Sequence, residues 1–129
     1  MKYIEARDII KLNQKILSKV EGYPTGFQDP DGKEVLQSIV GRARKRTVPS
    51  EAAAEYICGL NTAHVFKSAN KRTAFLAGEM FLGRNGVKLG ITDEEAVKLS
   101  KDIRNGRLLF EEVEKYIKEK SRPGVRNNI

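Results

Sequence analysis

At 129 residues the chain has the length of one domain, enough to bury about two-thirds of its unfolded surface. Its 24 Lys and Arg against 17 Asp and Glu give a net charge of +7, and 40% hydrophobic with 32% charged residues excludes a disordered, weakly hydrophobic chain. No apolar run of roughly eighteen residues and no basic segment leading into an apolar one occurs, so neither a membrane span nor a signal peptide is expected. The single Cys58 suits a reducing, cytoplasmic setting and reads as a small packed hydrophobe rather than a nucleophile.

In chain order, helical spacing predicts a first helix over 5–20, with Ile9, Leu12, Ile16 and Val20 on its inner face. Residues 22–32, rich in Gly and Pro, read as a loop. A second helix is predicted over 33–45, with Val35, Leu36, Ile39, Val40 and Ala43 inward. Near its end lie Arg42, Arg44, Lys45 and Arg46, where the helix dipole favours cations. No aromatic residues interleave with them, so nucleic acid is not an expected partner, although the net charge suits an acidic one.

Pro49 interrupts the pattern, and Ser50 reads as the cap of a third helix over 51–62 that turns Ala53, Ile57 and Leu60 inward. A fourth helix, over 71–85, carries the run FLAGEMFLG, apolar on nearly every face, and so belongs at the centre. Thr92 and Glu95 form a capping box that opens a fifth helix to Arg104. A last helix over 108–120 is expected to bury Leu109, Val113, Tyr116 and Ile117. The fold class is all-α: about six helices around a central buried helix, with at most a short hairpin near 22–27 or 87–91. One domain spans 1–120, followed by a frayed polar tail over 121–129.

The chemistry concentrates between Ala63 and Ala74, AHVFKSANKRTA. His64, the only histidine, ends the third helix; Asn70 reads as the N-cap of the central helix, with Lys71 and Arg72 in its first turn. Free N–H groups and the dipole make that end an anion site, and two cations there oppose the dipole unless a phosphate is bound. A planar guanidinium can clamp phosphate oxygens, whereas lysine acts as a compact charge. Buried Phe66 would pin the loop and keep the base aligned. No other phosphate loop, kinase signature or metal-ligand cluster occurs.

His64, Phe66, Ala69, Asn70, Lys71, Arg72, Thr73 and Ala74 match the H-x-F-x-x-A-N-K-R-T-A signature of the Fic/Doc family, and the chain resembles its death-on-curing (Doc) toxin branch. The resemblance implies a Fic fold and a toxin paired with an antitoxin that inhibits it through a disordered segment. It implies transfer of the ATP γ-phosphate to a threonine of elongation factor Tu, blocking translation. His64 would be the base, Asn70, Lys71 and Arg72 the phosphate-binding groups, and Phe66, Ala69 and Thr73 their support.

Wider Fic relatives carry glycine at the position of Lys71 and transfer AMP; Phe75 also replaces an arginine those relatives use. The family binds Mg²⁺ through Asp or Glu where this chain has Ser68, a weaker ligand that would act through water while nucleotide phosphates hold the metal. A disarmed enzyme is the alternative, as are AMP transfer and a catalytically silent antitoxin- or protein-binding module. The loop with Tyr23, Thr25, Gly26 and Phe27 falls where the family places its target-docking flap, which engages a peptide by strand pairing.

Overall fold

The structure, a computed structural model, describes residues 1–124. Among the described residues there are six helices, α1 (Ala6–Leu17), α2 (Gly32–Arg44), α3 (Pro49–Ala63), α4 (Asn70–Arg84), α5 (Asp93–Arg104) and α6 (Phe110–Lys120), and two short strands, β1 (Val87–Leu89) and β2 (Ser121–Pro123). The all-α class expected from sequence, with about six helices, is the architecture observed among the described residues.

The centre is shared by two helices. No residue of α4 from Thr73 to Leu82 is exposed, as its apolar run requires, but the Ala-rich α3 is equally enclosed from Pro49 to Asn61. α3 packs on α2, α4, α5 and α6, while α4 packs on α1, α3, α5 and β1. Small residues set the spacing: a Cβ on Gly78 of α4 would stand 2.5 Å from Ile57 Cδ1 of α3. Tyr56 of α3 is fully buried against Phe81 of α4; its hydroxyl donates to Ile4 O and accepts from Ile4 N, tying the N-terminal segment to the core. Burial raises that phenol to about 12, so it remains a neutral hydrogen-bonding group.

Several expectations need correcting. The inner face of α1 is Ile9, Asn13 and Leu17, with Leu12 and Ile16 half-buried and Val20 beyond the helix and exposed. The helix is rotated so that buried Asn13 meets polar partners in the loop before α4 and on α4 itself, Ser68 O and Thr73 Oγ1. Ser50 lies inside α3, whose first residue is Pro49; its hydroxyl donates to Glu114 of α6 at 2.6 Å. Leu109 precedes α6 and is 66% exposed, so Val113 and Ile117 alone bury fully there.

The two strands pair with each other in antiparallel register, Lys88 opposite Arg122, rather than forming a local hairpin. The expected polar tail therefore starts as a strand at Ser121–Pro123, and its remainder from 125 lies outside the described residues. The basic cluster is partly spent within the fold, Arg44 on Glu5 and Arg46 on Glu51 and Glu55. Cys58 is half-buried and its thiol is pushed up to about 12 by burial, so it stays protonated near neutrality.

Candidate active site

α3 ends just before His64 and α4 begins after Ala69, and both bounding residues adopt left-handed backbone, φ 50° and 63°. Neither is glycine, so each conformation costs about 1–2 kcal/mol. A loop of four residues, Val65 to Ser68, is thereby turned sharply at both ends. Its middle is anchored by Val65 and Phe66, 3% and 2% exposed.

Asn70 fastens this loop. It is not the N-cap, which is Ala69, but the first residue of α4. Its Oδ1 accepts from Phe66 N at 3.0 Å and its Nδ2 donates to Phe66 O at 2.8 Å, a closed ring of two bonds in a buried setting. The residue expected to contact phosphate thus uses both side-chain polar atoms on the loop backbone. On the far side, Asn13 Nδ2 of α1 donates to Ser68 O at 3.0 Å and Thr73 Oγ1 at 3.2 Å. Asn13 was missed from sequence, although a polar residue in register with Ile9 and Leu17 was a visible signal.

The flap is joined to the same loop. Gln28 N donates to Val65 O and Lys67 N to Gly26 O, an antiparallel bridge between Phe27 and Phe66 whose rings stack at 5.7 Å. Tyr23, Thr25 and Gly26 are exposed, and Phe27 is half-buried. Gly32 lies under the Phe27 ring, where a Cβ would come within 2.7 Å. A cleft of about 460 Å³ runs beside this segment, walled by Ile10 and Leu17 of α1, Phe27 and Phe66.

Lys71 and Arg72 occupy the first turn of α4 and are exposed; neither forms an ion pair among the described residues, and no acidic residue stands in that turn. The loop adds exposed Lys67. A positive dipole end and cations that form no ion pair among the described residues suit an anion at this surface. His64 is not turned into the core: its ring is half-exposed, and Nδ1 lies 3.2 Å from Arg104 Nη2 of α5. Ser68 is half-buried, and no cluster of three or more His, Cys, Asp or Glu able to hold a metal occurs among the described residues.

The Fic/DOC family model matches residues 3–82, a span that includes α1, the flap, α3, the whole loop and all of α4 but its last two residues. The chain belongs to the Fic/Doc family. Among proteins of this family it is similar to "Protein kinase doc" of Escherichia phage P1, with 34% identity over 95 residues, covering 69% of this chain and 72% of that one. In this Fic/Doc chain the signature residues divide by burial. Phe66, Asn70, Thr73 and Ala74 are buried and shape the loop, whereas Lys71 and Arg72 are left to solvent and His64 half so. Among the described residues no helix is long and apolar enough to cross a membrane.

Proposed function

We propose that this chain is a Doc-type toxin, a phosphotransferase that moves the γ-phosphate of ATP to a threonine hydroxyl of elongation factor Tu in the cytoplasm and is held in check by an antitoxin. The observation that carries the reading is the exposed Lys71–Arg72 pair on the α4 tip, without acidic partners among the described residues, joined by one short loop to a half-exposed His64. The kinase named in the phage relative supports phosphoryl transfer.

In this reading Lys71, Arg72 and the first amides of α4 hold the donor's phosphates, and His64 takes the proton of the target hydroxyl as its oxygen bonds to the γ-phosphorus. The bond from that phosphorus to the bridging oxygen breaks, and ADP leaves with the electron pair. Asn70 and Asn13 keep the loop in shape, and the flap from Tyr23 to Phe27 docks the target chain along its outer edge. Mg²⁺, when bound with the nucleotide, would neutralise phosphate charge. The chain offers it Ser68 in place of a carboxylate, so a protein-held Mg²⁺ does not fit this site as it stands, and full activity is not expected.

The same departure favours one second reading, a silent module that binds the antitoxin without transferring anything. Incubation of the protein and elongation factor Tu with ATP labelled at the α- or γ-phosphate separates these. Label from the γ-position is expected, raised at least about tenfold by Ser68→Asp and reduced roughly 10²–10⁴-fold by His64→Ala. Label arriving only from the α-position would make the protein an AMP transferase. No label from either position, even with Ser68→Asp, would leave the silent module.

A further inference from the structure

Arg104 is the last residue of α5 and lies outside the signature, brought to His64 because α5 packs on both α3 and α4. The dipole explains why a cation ends the helix. It does not explain where that cation points. Arg104 has no carboxylate partner among the described residues; Asp102 is engaged by Lys98 at 3.3 Å and Arg107 at 3.8 Å. Its Nη2 is directed instead at His64 Nδ1, 3.2 Å away.

A guanidinium has only donors, so Nδ1 is the acceptor and the neutral ring carries its proton on Nε2. Neither nitrogen then has a lone pair free to take a proton from an incoming hydroxyl. In this arrangement the imidazole is capped. Yet the cap is weak: an imidazole lone pair is a poorer partner for arginine than a phosphate oxygen, which forms charge-assisted and bidentate bonds. Both side chains reach solvent, and Lys67, Lys71 and Arg72 make the neighbourhood attractive to a polyphosphate.

We propose that Arg104 is a phosphate-released latch on His64: it caps Nδ1 until a nucleotide's phosphates draw the guanidinium away, which frees the ring and adds a third cationic contact to Lys71 and Arg72. This rests on the reading of His64 as the base. Arg104 is thus a positioning residue before the nucleotide binds and a phosphate ligand afterwards.

Because His64 is the only histidine, ¹⁵N spectra of its ring nitrogens in alkaline buffer report on it without assignment ambiguity. The expected result is a Nδ1 resonance displaced from the free lone-pair position in the wild type and at that position in Arg104→Met, with equal thermal midpoints. Adding ATP should move the wild-type Nδ1 resonance toward the variant's position. Arg104→Met should bind ATP roughly tenfold more weakly, the lower end for a lost charged hydrogen bond. Identical Nδ1 positions without ATP would overturn the latch, as would equal ATP affinities. If ATP binds the wild type and Nδ1 stays in place, the latch fails and the nucleotide reading stands. If the wild type binds no ATP while the two ATP-free spectra differ, the nucleotide reading fails and takes the release step with it.

Discussion

Asn70 is the residue on which the site's geometry turns. Two left-handed residues, His64 and Ala69, hold the loop in a conformation that no local preference supplies, and the paired bonds from Asn70 to Phe66 keep it there. Removing the amide with Asn70→Ala leaves a buried N–H and a buried C=O without partners, at about 1–3 kcal/mol each. A loss of about 2–6 kcal/mol in unfolding free energy is expected from urea titration, with faster amide exchange at Phe66 and Lys67. An unchanged midpoint would show that the loop is held by Phe66 packing alone. Asn70 was visible in the sequence as a polar residue at a helix start. Its position one residue inside the helix, and its partner, depend on the backbone of Ala69.

Helix α4 offers a test within a single element, since two of its glycines face different surroundings. Gly78 lies against fully enclosed Ile57, whose Cδ1 a new Cβ would approach to 2.5 Å, whereas Gly83 has nothing within 4 Å. Alanine improves helix propensity by about 1 kcal/mol at either site. At Gly78 overpacking of about 1–3 kcal/mol offsets that gain, so Gly78→Ala should lower the thermal midpoint and Gly83→Ala should hold or raise it. A raised midpoint for Gly78→Ala would mean that the α3–α4 contact is looser than its spacing implies. The same logic accounts for the misread face of α1. Apolar periodicity picked Leu12 and Ile16, but the helix turns to bring Asn13 under Ser68 and Thr73. A buried polar bond outweighed the apolar stripe.

Across the whole molecule, acid response follows from carboxylates shifted in opposite directions. Glu95 bonds to the Thr92 amide, to Lys120 and to Tyr116, which lowers it from 4.5 to about 2 and clasps α5 to the end of α6. Asp8 is also lowered: burial works against this, but the Glu5 amide and Arg84 outweigh it. For both groups the folded form is the more acidic, so their stabilisation is present above the unfolded value and lost as pH falls through the folded one. Glu79 is raised, by burial and then by Asp93, and its penalty is relieved as it protonates. Thermal midpoints should therefore rise slightly from neutral into mild acid and fall between about pH 4.5 and about 2. Glu95→Gln should flatten that acid limb, and an unaltered limb would remove Glu95 as its cause.

Helix number, the capping box at Thr92, the enclosed character of α4 and the cationic tip at Lys71 and Arg72 were legible in the residues, because periodicity, caps and dipoles act over a few neighbouring positions. The signature around His64 carried the family in the same way. Long-range pairings were not legible: Asn13 with Ser68, Ser121–Pro123 with Val87–Leu89, Phe27 with Phe66 and Arg104 with His64 join positions far apart in the chain. Such contacts form only once α1, α3, α4 and α5 have packed, and the packing that places them is decided by volume and close approach at residues such as Gly78 and Ile57. A short apolar or charged stretch looks the same whichever neighbour it meets, so those partners belong to the folded chain alone.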